Sequence, residues 1–458
     1  MSKISRRDFF GCTAALGGSA LLASSPLLSS CSSDKSAKMV PLRSPEEYYI
    51  PVLDDKAADG RELKAGLIGC GGRGTGAVAN MLSAADGVKF TAFGDVFEDR
   101  IEESIANLTE WGYDVSGVQK FVGFDSYKKV IDSGVDVVIL TTPPLFRPYH
   151  FEYAVSKGVH AFLEKPVAVD AKGCRTVIKA AKQAQAKKLA VVTGTQRHHE
   201  RSYVEAFKLI QEGMIGEITG GNVYWNQGML WYREREKGWS DMEWAIRDWV
   251  NWKFLSGDHI VEQHVHNIDV FMWMMGGAHP ISATGFGSRQ RRVTGDQYDN
   301  FSIDFEFENG VHLHSMSRQI NGCSNNVSER IHGTKGYWWS GDNTIRDLSG
   351  NVLWQFDGEA EAANHKQCDP YTLEHVDLIN HIRKGEGIDQ ATETAMSTLA
   401  GVMGREAAYT GKTVTWDEIM GMDMDFLPGE PDALTLCTLD AVQRPVIAVP
   451  GDNKTEEE

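Results

Sequence analysis

Residues 64–76, KAGLIGCGGRGTG, decide how this chain folds. Lys64 to Ile68 form a short apolar run, and a helical pattern begins near Ala77. Between them Gly69, Gly71 and Gly74 spell G-x-G-x-x-G, with Cys70, Gly72 and Arg73 completing the turn. Small residues at those points let backbone amides approach a pyrophosphate at the amino end of a helix. The next apolar run, Val88 to Gly94, finishes at Asp95, 21 residues after Gly74. A carboxylate at that distance accepts hydrogen bonds from ribose hydroxyls and repels a 2′-phosphate, which predicts NAD; Arg100 lies close enough to leave NADP open.

Working outward, Val135 to Leu140 reads as a buried strand closing in Thr141-Thr142-Pro143-Pro144, and a helix follows from about Pro148 to Lys157. Val159 to Leu163 then runs into Glu164-Lys165-Pro166, and Leu189 to Gly194 supplies another strand. Strands alternating with helices of this length predict an α/β fold, a Rossmann-type doubly wound parallel sheet with helices on both faces. Ligands of such sheets sit beyond the carboxyl ends of the strands, where Gly69, Asp95, Thr142 and Lys165 fall. From residue 220 the pattern changes to period two, over 220–225, 281–286, 300–308 and 311–317, with Glu308-Asn309-Gly310 as a turn. This predicts a second α+β domain with a mostly antiparallel sheet. Residues 368–409 read as helices returning to brace the first domain.

Residues 256–275, SGDHIVEQHVHNIDVFMWMM, read as one helix with its reactive groups on one side. At about 100° per residue, His259, Glu262, His266, Asp269 and Trp273 share a face opposite Ile260, Val261, Val265, Ile268, Phe271 and Met272. His264 falls on the apolar side and is read as a hydrogen-bonded core histidine. The spacing of His259, Glu262 and His266 also admits a divalent metal with a fourth donor from elsewhere.

The Gly69–Gly74 loop, Thr142-Pro143 with His150, the Glu164-Lys165-Pro166 tripeptide and Glu262-x-x-x-His266-x-x-Asp269 together resemble the Gfo/Idh/MocA oxidoreductases, which include glucose–fructose oxidoreductase and inositol dehydrogenase. The resemblance spans roughly residues 62 to 415. It implies a cleft between the two domains, oligomer contacts through the antiparallel sheet, and Lys165 and His266 against nicotinamide or substrate, without a metal. It implies cofactor contacts from Gly69, Cys70, Gly71, Gly72, Arg73, Gly74, Asp95, Thr142, Pro143, His150, Glu164 and Lys165. The family's usual Asp four residues before the histidine is Glu262 here. In a dehydrogenase, His266 suits the proton acceptor for a substrate hydroxyl, and the Lys165 ammonium suits stabilisation of the developing alkoxide. Trp231, Tyr232 and Arg233, then Arg247, Asp248 and Trp249, then Trp252 and Lys253 combine flat apolar faces with cationic donors, a mixture that fits carbohydrate; Tyr232, Arg247, Trp249, Lys253 and His266 are the expected substrate contacts.

Composition bounds the rest. In 458 residues with 42% hydrophobic content there is room for two packed domains. A formal charge of −17 argues against a nucleic-acid backbone as partner. Seven cysteines without a CxxC or CxxH pair predict neither a disulfide framework nor a zinc site. Ser5-Arg6-Arg7-Asp8-Phe9-Phe10 and the Gly/Ala-rich run after it resemble a twin-arginine export signal, and Leu28-Ser29-Ser30-Cys31 resembles a lipoprotein cleavage box. The expected divisions are residues 1–31 as signal, 32–61 as tether, 62–195 as nucleotide domain, 196–415 as substrate and oligomerisation domain, and 416–458 as an extension with an acidic end. The expected protein is an exported, lipid-anchored, periplasmic homo-oligomer with tightly held NAD, oxidising a sugar, polyol or glycoside hydroxyl. Glycoside cleavage through transient oxidation and a non-catalytic sugar-binding role with structural NAD are the alternatives.

Overall fold

The run that opens the glycine turn is strand β1 (Leu63–Ile68), and the computed structural model, which describes residues 49–427, 429–437 and 446–451, builds the first half of the chain around it. The twin-arginine motif, Cys31, the tether up to residue 48 and the acidic end lie outside the described residues. Strands β2 (Val88–Asp95), β3 (Gln119–Val122), β4 (Val137–Leu140), β5 (His160–Leu163) and β6 (Ala190–Thr193) pair in parallel in the order β6-β5-β4-β1-β2-β3. The order reverses between β1 and β4, and that switch point opens a crevice at the carboxyl ends of both strands. Apolar layers cover both faces: Leu67, Phe93, Ile101, Val376 and Ile379 on one, Leu140, Phe151, Leu163, Val177 and Ala395 on the other.

The second sheet is assembled from β7 (Ile218–Gln227), β8 (Ser282–Ser288), β9 (Asn300–Glu306), β10 (His312–Gln319), β11 (Asn326–Gly333), β12 (Gly336–Trp339), β13 (Thr344–Asp347) and β14 (Val352–Gln355). Two short later strands complete the sheets: β15 (Ile388–Asp389) pairs in parallel with β6, and β16 (Val414–Thr415) pairs with β8. The second sheet is antiparallel throughout its described pairs except between β7 and β10. The inward register is clear in β9, where Phe301, Ile303 and Phe305 are buried between half-exposed neighbours.

The stretch 256–275 is not one helix. Helices cover His259–Glu262 and Val265–Met274, with Gln263 and His264 between them in a turn. The helix Val265–Met274 is buried on all sides, because it lies between the second sheet and the helix Ala391–Thr410 rather than on a surface. His264 donates to or accepts from Ser315 Oγ at 2.7 Å on that sheet, a core histidine as its position implies.

The sequence pattern passes over how much the later chain returns to the first half. The helix Pro370–Lys384 packs on the helix Gly72–Ala84 that follows the glycine turn, and β15 extends the parallel sheet. Residues 49–61, expected to tether, are instead pinned there: Tyr49 donates to Asp377 at 2.5 Å, Ala58 N–H to Asn380 at 2.9 Å, and Arg201 reaches Asp55 at 3.3 Å. A third apolar cluster, including Phe97, Phe146, Met242, Ile246, Trp252, Leu255 and Phe426, joins residues from both halves.

Arg405, fully buried in the helix Ala391–Thr410, donates to the Val169 carbonyl at 2.8 Å and the Gly257 carbonyl at 3.0 Å and pairs with Glu406 at 2.9 Å. It ties the helix to both halves. Removing such a cation strands its buried acceptors, so Arg405→Met is expected to cost about 3 kcal/mol of stability, read as a lowered midpoint in urea unfolding.

Candidate functional site

The glycine turn is built by steric necessity. Gly69 has φ +96°, and a Cβ there would stand 2.6 Å from the Thr142 amide nitrogen. At Gly74 a Cβ would stand 2.0 Å from the Gly69 carbonyl oxygen, so the helix Gly72–Ala84 could not start where it does. Thr141 seals the crossing, its hydroxyl donating to the Gly69 carbonyl at 2.7 Å. Gly71 and Gly72 face open space.

That space is a cavity of about 480 Å³. The first half contributes the glycine turn, Asp95, Phe97, Thr142, Pro143 and His150; the second contributes Trp231, Arg233, Ile246, Arg247 and Trp249. Asp95 accepts the Cys70 and Phe97 amides at 2.7 and 3.0 Å, which leaves each carboxylate oxygen capacity for a ligand hydroxyl. Burial pushes the Asp95 carboxyl up, and those backbone donors oppose it. His150 stands 3.2 Å from the Thr142 hydroxyl, stacked on Tyr127, and burial holds its imidazole down at about 3. A groove with open space over Gly71 and Gly72 at the start of a helix and a carboxylate 21 residues after Gly74 fits a dinucleotide.

Lys165 and Glu262 meet, and His266 lies near enough to feel the lysine's charge, but none of the three is among the residues that line this cavity; Glu164, next to Lys165, connects to it through Arg73. Lys165 follows β5 through a cis peptide to Pro166, and its ammonium donates to the Glu262 carbonyl at 2.6 Å and to Glu262 Oε1 at 3.2 Å. His266, stacked on Trp225 with ring centres 5.5 Å apart, is buried. Burial, then the Lys165, Arg197 and Arg73 cations, hold its imidazole well below the ordinary value. Asp269, one turn on, binds His198 at 2.6 Å and Ser397 at 2.7 Å.

Other expected members lie elsewhere. His259 turns away to Asp258, Arg292 and Ser317, so it does not share a centre with Glu262 and His266. Among the described residues no group of three His, Cys, Asp or Glu side chains could hold a metal ion. The Arg73 guanidinium pairs with Glu164 across the groove floor. Arg247 pairs with Asp99 at 2.9 Å and covers the Phe97 ring at 3.8 Å, so it stands at the Asp95 end of the groove, not beside Lys165. Lys253 packs its ammonium over Tyr409 and Phe426 and is not in the cleft. Trp249 meets Trp231 edge-on at 6.3 Å, and Tyr232 is exposed next to them. Sequence reasoning missed Arg197, Trp225 and Glu329. Arg197 lies over Trp225 and is neutralised by Glu329 at 2.9 Å, which also accepts from Tyr203 and Asn267. The available signal was a carboxylate, Glu329, in a strand register whose neighbours Ile331 and Gly333 point inward.

Comparison with known proteins agrees with this architecture. Residues 63–193 match the model of an oxidoreductase family with an NAD-binding Rossmann fold, and residues 203–338 match the GFO/IDH/MocA C-terminal domain. An inositol 2-dehydrogenase of Klebsiella pneumoniae is 30% identical over 157 residues, 34% of this chain and 43% of the relative. One of Burkholderia cenocepacia is 23% identical over 254 residues, 55% of this chain and 66% of the relative. The chain thus matches less than two thirds of the length of these curated relatives. The solved myo-inositol 2-dehydrogenase of Lactobacillus plantarum superposes with a TM-score of 0.58 at 21% identity, covering 77% of this chain and 99% of its own. The scyllo-inositol dehydrogenase of Lactobacillus casei, solved with NAD(H) and scyllo-inositol, superposes with a TM-score of 0.58 at 18% identity over 77% of this chain and 99% of its own. These likenesses establish the shared fold.

Because Trp231 and Trp249 line the groove, NAD titration is expected to quench tryptophan fluorescence, and Gly74→Ala to weaken that titration at least tenfold, since its Cβ meets backbone that cannot yield.

Proposed function

The chain belongs to the Gfo/Idh/MocA oxidoreductases and carries their NAD-binding Rossmann domain, and from that premise we propose that it oxidises a ring hydroxyl of a sugar, polyol or glycoside. What supports the reading is the Lys165 ammonium held against Glu262, with His266 within reach of its charge and with Glu164 tying the lysine to Arg73 in the groove lining. NAD, when bound along the glycine turn and Asp95, supplies the hydride acceptor. Lys165 gives two of its three N–H bonds to Glu262, and the third remains for the substrate oxygen. A positive charge there favours the alkoxide over the hydroxyl as the C–H bond breaks. His266 accepts the hydroxyl proton: its depressed basicity keeps the ring neutral, hence able to accept, at neutral pH. Glu262 fixes the lysine, a role its longer side chain fills as the family's aspartate would. Exposed Trp231 and Tyr232 at the groove mouth offer stacking area beyond one ring, which favours as a second reading glycoside cleavage through transient oxidation and elimination by the same side chains. The proposal extends to export and lipid anchoring at Cys31, on the motifs of residues 5–31.

The test is incubation of the purified protein, with NAD, against myo-inositol and 4-nitrophenyl glycosides. Net NADH absorbance at 340 nm marks a dehydrogenase; release of 4-nitrophenol without it marks cleavage with internal redox return; neither, with Lys165→Ala and His266→Ala indistinguishable from the parent in ligand binding, removes the enzymatic reading. The pH dependence has a definite sign. The active imidazole is the unprotonated one and its affinity for a proton is lowered, so kcat/KM is expected to hold as pH falls through 6.5 and to fail only below it. An acid limb at or above 6.5 that His266→Gln abolishes would contradict this assignment.

A further inference from the structure

Arg73 looks, in the sequence, like a cation offered to the cofactor's pyrophosphate. In the fold its guanidinium is committed elsewhere. Nε donates to Glu164 Oε1, Nη1 donates to Asn80 at 3.1 Å, Nη2 lies 3.9 Å from the fully buried Glu374, and the group sits 4.9 Å over the Tyr371 ring. The Nε and Nη1 edges are held by hydrogen bonds, while Nη2 makes none and the side chain, a third exposed, still lines the groove. Glu164 is confined: its other oxygen accepts the Lys165 amide at 3.1 Å, and the carboxylate lies flush against Gly194, where a Cβ would stand 2.6 Å from it. Asn80 is locked in turn to Thr372 and Asp369 at 3.1 and 3.2 Å.

We infer that Arg73 is a positioning residue, a strut that fixes the backbone of Lys165 relative to the dinucleotide turn. The strut runs from the turn through Glu164 to the Lys165 amide, and the helix Pro370–Lys384 backs it from behind. The consequence for the reaction rests on the reading of Lys165 given above. A misplacement of about 1 Å in a group that stabilises a developing charge costs on the order of a hundredfold in rate. The glycine turn and the lysine follow separate strands, and Arg73, in the first turn of the helix Gly72–Ala84, pairs with Glu164 between them.

Arg73→Gln is therefore expected to lower kcat 10- to 100-fold, with myo-inositol or the 4-nitrophenyl glycoside that turns over as substrate, while the NAD dissociation constant from tryptophan quenching changes less than threefold. Glu164→Gln should give the same loss, and the double variant should be no worse than the poorer single, because both act through one contact. Arg73→Lys restores charge without the fork and should recover part of the rate. A rise of tenfold or more in the NAD dissociation constant with kcat kept at saturating NAD would overturn the inference in favour of direct pyrophosphate binding, and so would multiplying losses in the double variant. A crystal structure of Arg73→Gln gives a readout free of turnover: the lysine ammonium should leave the Glu262 carbonyl, and an unchanged contact would also overturn it. If Lys165→Ala keeps full turnover while that displacement is seen, the strut stands and the role proposed for the lysine falls.

Discussion

The candidate site depends on one contact between the halves, a lysine from the end of β5 donating to the carbonyl at the end of the helix His259–Glu262. The Glu262 carbonyl that accepts from Lys165 would, in an unbroken helix, accept the His266 N–H four residues on. Here the His266 N–H turns to the Gln263 carbonyl at 3.3 Å instead, and the Glu262 oxygen is left for the ammonium. The interruption at Gln263 and His264 therefore does two things at once. It frees an acceptor at the point where β5 delivers a cation, and it re-aims the following turn so that His266 stacks on Trp225 while His264 reaches the second sheet.

Charge around that contact is arranged in pairs. Lys165 has Glu262, Arg197 has Glu329, and Arg73 has Glu164. The imidazole of His266 stands among these cations without a carboxylate of its own, and burial and the cations together drive its proton off. A buried ring kept neutral by paired neighbours is prepared to receive a proton as a substrate hydroxyl is lost, and the paired carboxylates keep the cost of burying three cations low.

The parallel half was legible because its physics is local. Strands buried on both faces read as apolar runs, Gly69 and Gly74 admit nothing bulkier, and Asp95 stands where β2 ends. The order of helices and strands followed from that. What the sequence hid is what depends on contacts far along the chain. Periodicity assigned 256–275 to a single helix, since apolar residues surround it on every side and a turn at Gln263 leaves no mark in the pattern. Arg247 and Lys253 carried the right chemistry for sugar, yet Asp99 and the Tyr409–Phe426 pair, remote in sequence, draw them elsewhere. Arg73 sits in the glycine motif, where it was expected to touch the cofactor. Only the position of Glu164 and Glu374 reveals which way its side chain turns.

The groove also explains why the halves need each other. Its floor comes from the parallel sheet and its far wall from residues 231–249, with Arg247 crossing to Asp99 and covering Phe97 beside the carboxylate of Asp95. The salt bridge itself is half exposed on the Asp99 side and is worth little alone. A dinucleotide bound in the groove would meet both walls, so its binding free energy would add to whatever joins them. At a hundred times its dissociation constant that addition is about 2.7 kcal/mol, more than a surface ion pair supplies. Cohesion of the cleft would then rise with occupancy of the groove.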